Sequence, residues 1–176
     1  MKTLVCIDVQ NDFINGVLGV DKDLTITDRI INYARKVKSE GGVVFATKDT
    51  HYKANYMDTL EGKKLPVPHC IAMTTGWEIP DALKSIVEGN IVEKPTFGSF
   101  TLADFLREHV RTDNDEIEVC GFCSSICVIS NLLILRAAFP NTKISMLVNL
   151  CGDVNESNHK AAYEVAEACQ IDLKVV

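Results

Sequence analysis

An α/β fold built on a parallel sheet is predicted by three observations. Short apolar runs alternate with helical patterns from one end of the chain to the other. The first run, Thr3–Val9, is continuously apolar rather than alternating, as a strand buried on both faces must be. Finally, Asp8 and Lys94 sit at the C-terminal ends of such runs and Cys127 just after one. In an open parallel sheet those ends share one rim, outside which ligands bind.

Each element follows in order. Thr3–Val9 is the first strand. Leu24–Ser39 carries Ile26, Ile30, Ile31, Ala34 and Val37 at helical spacing, and Gly41-Gly42 ends it. Val43–Thr47 is the second strand. The segment Lys48–Ile79 has little periodicity and contains Pro66, Pro68 and Gly76; loops of that length inside a compact domain are usually functional. Ala82–Val87 is a short helix and Asn90–Lys94 a strand. Leu102–Arg111 is a helix capped by Ser99 or Thr101. Glu116–Gly121 is a strand, Ser125–Ala138 a helix and Lys143–Val148 a strand. Asn155–Cys169 is the last helix and Asp172–Val175 the last strand. Six strands alternating with helices predict a six-stranded parallel sheet with helices on both faces. No repeat, linker or low-complexity segment divides the chain, so residues 1–176 are expected to form one domain.

Bulk properties exclude several classes. The 176 residues are 47% hydrophobic, and the mean hydropathy is +0.08. A chain of this size buries about 70% of its unfolded surface. The net charge of −6 and pI near 5.2 argue against a nucleic-acid partner, since phosphate binding needs a basic face. No stretch approaches the ~18 uninterrupted apolar residues of a membrane span. Asp8 interrupts the apolar start and no small-residue cleavage site follows, so a signal peptide is not expected. The seven cysteines (6, 70, 120, 123, 127, 151 and 169) are odd in number and lie mostly in apolar segments. They read as reduced thiols of a cytoplasmic protein. Cys120-x-x-Cys123 lacks a second pair and reads as strand sequence rather than a zinc or redox motif.

The chemistry rests on side chains that the rim would gather. Cys127, early in a helix, would feel free N–H groups and the positive dipole end, which favour a thiolate and can hold an oxyanion. Ser124 or Ser125 would cap that helix. A buried structural cysteine is the bland alternative. Asp8 ends an apolar strand and needs partners to offset desolvation, unless it caps a turn with Asn11 or Asp12. Lys94, held before Pro95, is either solvated or turned into the site. An acid, an ammonium and a thiol together form the combination that activates a cysteine nucleophile. Asp49-Thr-His51 and His69 are candidate ligands for Zn²⁺, Mn²⁺ or Fe²⁺, or else surface and core residues. Phe13, Trp77 and Phe97 could stack on an aromatic ring or simply fill the core.

Three motifs carry a resemblance: Ile-Asp8-Val-Gln-Asn-Asp-Phe, Lys94-Pro-Thr-Phe-Gly-Ser-Phe and Gly-Phe-Cys-Ser-Ser-Ile-Cys127-Val. Over essentially the whole chain the sequence resembles the isochorismatase-like cysteine hydrolases, the superfamily that includes the nicotinamidases. The resemblance implies a three-layer α/β/α, Rossmann-like fold. It implies Asp8 as general base, Lys94 as charge stabiliser and Cys127 as the nucleophile that forms a thioester. It further implies a cis Phe122-Cys123 peptide and an oxyanion hole from the backbone N–H groups of Cys123 and Cys127. In nicotinamidase-type relatives an Asp-x-His pair and a Pro-His histidine bind the metal. That carries over to Asp49, His51 and His69, with Glu61 as a further candidate and zinc as the expected ion. The metal would hold the pyridine nitrogen of nicotinamide, whose hydrolysis belongs to NAD salvage. Relatives of this kind are often dimers or tetramers. One departure is visible: Ser125 stands where the family often has an aspartate. Other substrates on the same machinery (another small amide, a ureido compound or an enol ether) and a silent binding protein are the alternatives.

Overall fold

Continuous apolar runs become the strands, and the helices between them cover both faces. The computed structural model describes residues 1–112 and 114–176. Its strands are β1 (Lys2–Ile7), β2 (Val43–Asp49), β3 (Ile91–Lys94), β4 (Glu116–Phe122), β5 (Lys143–Gly152) and β6 (Asp172–Lys174). They form one sheet in the order β3-β2-β1-β4-β5-β6, with every neighbouring pair parallel. The predicted six-stranded parallel sheet is therefore present. Leu4, Val5, Cys6 and Ile7 on β1 are all fully buried, as a central strand with two covered faces requires.

Among the described residues, seven α-helical segments accompany the strands: α1 (Asn11–Ile14), α2 (Thr25–Ser39), α3 (Leu60–Lys64), α4 (Asp81–Val87), α5 (Phe100–Leu106), α6 (Ile129–Ala138) and α7 (Glu156–Ala168). α2 packs against α4, whereas α6 packs against α5 and α7, giving two helical layers. α2 buries Ile30, Ile31, Ala34 and Val37 along one stripe. Its first turn is held by the Asp21 carboxylate, which accepts the N–H groups of Ile26 and Thr27. Ser99 caps α5 by accepting the Leu102 N–H, one of the two expected caps. No helix among the described residues is long and apolar enough to cross a membrane.

Strand order reverses between β1 and β4: β2 and β3 continue outward on one side, β5 and β6 on the other. Crevices for ligands open at such a switch point. Three local departures from expectation matter there. The segment Lys48–Ile79 contains α3 and two short 3₁₀ turns, at Tyr56–Asp58 and Thr75–Trp77, too brief to leave a period in the sequence. β5 runs four residues beyond Val148, reaching Gly152 beside Phe122. The predicted helix from Ser125 begins instead as a π-type turn, Ser124–Val128, before α6 takes over. Neither Ser124 nor Ser125 caps it; Cys123 occupies the cap position and gives no side-chain cap bond.

Gly121 closes the contact between β1 and β4. Its φ is +123°, and a Cβ there would run into the carbonyl oxygen of Ile7. Gly121→Ala should therefore destabilise the protein by about 3 kcal/mol or more. Chemical denaturation monitored by circular dichroism measures that loss.

Candidate active site

The rim assembles side chains from both halves of the sheet. Asp8 follows β1 with its backbone in the left-handed region, at φ 49°. Its carboxylate is fully buried. Thr47 on β2 secures it from both directions: the hydroxyl accepts the Asp8 N–H at 3.0 Å and donates to Oδ1 at 2.6 Å. Lys94 ends β3 and is also buried. Its Nζ lies 2.6 Å from Asp8 Oδ2 and 3.9 Å from Asp49 Oδ1, and it donates to the Thr96 carbonyl. The residue before a proline is kept extended, which holds Lys94 in strand geometry as the chain turns away at Pro95.

Cys127 reaches the same place from the π-type turn after β4, with the Phe122-Cys123 peptide in cis, as the resemblance implies. The Cys123 carbonyl accepts the N–H groups of Ile126 and Val128, leaving the N–H of Cys127 out of that pairing. π-type turns of this kind recur at functional sites. Asn131, fully buried one turn on, ties the thiol-bearing segment to the loop after Lys94. Its Nδ2 donates to the carbonyls of Cys127 and Phe97, and its Oδ1 accepts the Ser99 N–H.

Electrostatics correct one expectation. Burial pushes the Cys127 thiol well above its usual range; Asp8 adds to that and Lys94 only opposes it. At rest the residue is a thiol, not the thiolate that a helix N-terminus alone would favour. Burial also raises the Asp8 carboxyl above the ordinary aspartate value, with the Lys94 charge acting against it. The acid is thus a stronger base than a solvated aspartate. The Asp8 charge is close enough to the thiol to act on it.

Beside this trio lies a four-donor cluster. One ligand atom each from Asp49, His51, Glu61 and His69 lies within 4.8 Å of all the others. His51 Nε2 is 2.9 Å from Asp49 Oδ2, and His69 Nε2 is 3.4 Å from the same oxygen and 3.5 Å from Glu61 Oε1. The Val67 carbonyl meets His69 Nδ1 at 2.9 Å, which turns Nε2 into the cluster. Gln10 clamps the Asp49 backbone by accepting its N–H and donating to its carbonyl. Asp12 takes the Cys70 N–H and so anchors the segment carrying His69.

The donor set fits a divalent cation. Asp49 Oδ1 is a buried oxygen without a hydrogen-bond donor among the described residues. Burial pushes Asp49 up, yet hydrogen bonds from both histidines and the Lys94 charge hold it well below the carboxylate range. Burial alone would lower His69, but hydrogen bonds with Asp49 and Glu61 raise it to about 10. The cluster therefore stabilises positive charge at its centre. Mixed imidazole and carboxylate donors suit Zn²⁺, Mn²⁺ or Fe²⁺.

Cys127 and the cluster share one cavity of about 660 Å³, whose wall includes neither Asp8 nor Lys94. Cys123 and Cys127 lie on its wall with Asp49, His51, Glu61 and His69. Two of the three expected aromatics are there as well: Phe13, edge-on to His69, and Phe97, half exposed. Trp77 is not. Its ring is buried against Lys48, and its Nε1 donates to Thr50 Oγ1, so it braces the loop behind β2 instead of lining the cavity. Thr47, Gln10, Asp12, Asn131 and Asp153 escaped the sequence reading. For the first four, a polar residue inside an apolar run or a reactive motif was the available signal. Asp153 left none, because its partner is 28 residues away.

Comparisons with known proteins agree with this architecture. A family model described as the isochorismatase domain matches residues 2–173. The nicotinamidase/pyrazinamidase of Mycobacterium tuberculosis is 26% identical over 188 residues, covering 98% of each chain. The crystal structure of nicotinamidase PncA from Bacillus subtilis superposes with a TM-score of 0.79 at 26% identity, again covering 98% of both chains. The pyrazinamidase of Pyrococcus horikoshii, solved in complex with zinc, shares the fold with a TM-score of 0.77 at 22% identity and 99% coverage of both chains. The chain belongs to the isochorismatase family.

Proposed function

We propose that this protein is a cysteine amidohydrolase that cleaves nicotinamide, or pyrazinamide-like amides, to the acid and ammonia through a thioester on Cys127. It would thus be a hydrolase of carbon–nitrogen bonds other than peptide bonds. The observation that carries this reading is a thiol and a four-donor cluster on the wall of one cavity, with a buried acid–ammonium pair whose charges act on both. The named activity of the relatives from M. tuberculosis and B. subtilis supports it.

In this mechanism the Cys127 sulfur attacks the carboxamide carbon while Asp8 takes the thiol proton. Burial raises both groups above their ordinary values, so the proton passes from a neutral thiol to a base stronger than a solvated aspartate. The backbone N–H groups of Cys123 and Cys127 receive the oxyanion that forms. Asp8 then returns its proton to the departing nitrogen, the C–N bond breaks, and ammonia leaves a thioester. Water enters, Asp8 accepts one of its protons, and collapse of the second tetrahedral adduct releases the acid and restores the thiol. Lys94 stays protonated throughout and balances the Asp8 charge. Asp49, His51, His69 and Glu61 would hold the metal, zinc by preference, and bound there it would supply a Lewis acid for the ring nitrogen of the amide. Free thiols at all seven cysteines fit a reducing compartment such as the cytoplasm.

A second reading has one observation in its favour. The cavity falls within the range that encloses drug-sized ligands, more space than a single-ring amide fills. A bulkier amide handled by the same residues is therefore the alternative substrate.

Ammonia release from nicotinamide by metal-replete protein tests the reading. Cys127→Ala should abolish turnover with the fold intact by circular dichroism, and Asp8→Asn should lower kcat by at least ~10³-fold. A Cys127→Ala variant that still releases ammonia sinks the mechanism; an inactive parent with a reactive thiol shifts the search to the larger amides.

Metal binding has its own pH signature. Without metal, His69 carries a proton up to about pH 10, and a ligating imidazole must release it. Zinc affinity, followed by competition with a chromophoric chelator, should therefore rise with pH from 6 to 8. His69→Ala should weaken zinc binding at every pH and flatten that slope. A slope unchanged by the substitution would remove His69 from the ligand set.

A further inference from the structure

We infer that Asp153 is a positioning residue for the nucleophile, acting as an acid that β5 lends to the turn carrying Cys127. Its Oδ2 accepts the Ser125 N–H at 2.6 Å, and its Oδ1 accepts the N–H of Val154 at 2.7 Å, so both oxygens are committed. A side-chain oxygen taking the second free N–H of a helical turn is what a cap ordinarily does from the preceding residue. Here the preceding residue is Cys123, which gives no such bond. Ser125 is not acidic, and its own hydroxyl is buried without a partner among the described residues. The carboxylate arrives instead from the far end of a neighbouring strand.

The attachment has a second point. Ser124 Oγ donates to the Gly152 carbonyl at 3.1 Å, so successive residues of the turn are bolted to successive residues leaving β5. On the other side, Asn131 holds the Cys127 carbonyl. The thiol and its N–H thus lie between two clamps, one on β5 and one on α6. A π-type turn is wider than an α-helical one and leaves its amides less well fixed by the helix itself. An external side-chain oxygen at its start supplies that definition, through an accepted bond of 2.6 Å. Asp153 touches neither thiol nor substrate directly; it acts through the backbone of Ser125.

This inference rests on Cys127 as the nucleophile but not on nicotinamide as the substrate. Its test therefore has one arm that needs no turnover. Hydrogen–deuterium exchange should be at least about threefold faster in the peptide 121–128 of Asp153→Ala than in the parent. In Asp153→Asn, whose amide oxygen can still accept the Ser125 N–H, exchange should stay close to the parent. In the kinetic arm, on whichever amide the parent hydrolyses, Asp153→Ala should lose about tenfold in kcat with KM within about twofold. Asp153→Asn should keep kcat within about threefold of the parent. Should Asp153→Ala fail to fold, Asp153→Ser, polar but too short to reach, takes its place. Parent-like exchange and kcat in the truncated variants would overturn the inference. So would an Asp153→Asn variant as slow as Asp153→Ala, because charge and not the accepted bond would then be what matters.

Discussion

One ammonium holds the site together. Lys94 Nζ stands between two buried carboxylates, Asp8 at 2.6 Å and Asp49 at 3.9 Å, and is itself 1% exposed. Taking such charges out of water costs several kcal/mol per ion, so the arrangement persists only because every member has partners. Thr47 donates to Asp8 Oδ1, the two histidines meet Asp49 Oδ2, and the Thr96 carbonyl accepts a hydrogen bond from the ammonium. Removing the lysine would leave Asp8 without an opposite charge in the core. The same ammonium joins Asp8, the proposed base, to the donor cluster, so the two halves of the site share one electrostatic centre.

That centre changes how the thiol can be activated. A cysteine can be made nucleophilic by lowering its pKa, as cations and helix ends do elsewhere. Here burial and the neighbouring Asp8 outweigh Lys94 and keep the proton on sulfur. Burial raises the base as well. In the proposed mechanism, proton transfer then depends on the proximity of Asp8 to the thiol rather than on a standing thiolate. A resting thiol is also less prone to oxidation than a thiolate, since susceptibility follows thiolate character and exposure.

The sheet and its rim were legible because they follow from burial. Continuous apolar runs can only be covered strands, and Asp8 and Lys94 stand out because each ends such a run. The His51 and His69 cluster was legible only as residue types; its closure depends on the turn of the 48–79 segment, which no period encodes. Trp77 was misassigned for the same reason. An indole in a loop can face either side, and the choice was made by Thr50 and Lys48, which meet it only in the folded chain. The start of the thiol's helix departs from expectation because Ser-Ser looks like a cap, whereas the acid that accepts the Ser125 N–H lies 28 residues away, just past the end of β5. Local sequence carries local capping well and borrowed capping not at all.

Division of labour across the switch point explains why these long-range details matter. β1, β2 and β3 deliver the acid, the ammonium and Asp49; β4 and β5 deliver the thiol and the carboxylate that fixes its turn. Nothing local in the chain sets the distance from Asp8 to Cys127. It is set by the pairing of β1 with β4, in which Ile7 and Gly121 are opposite neighbours immediately before the two reactive segments diverge. Only glycine lets those backbones approach so closely at that φ. Asn131 adds a cross-brace from α6 to the loop after β3, coupling the two halves a second time. The reactive geometry is thus a property of strand pairing and two buried polar braces, and the chemistry at the rim inherits its alignment from them.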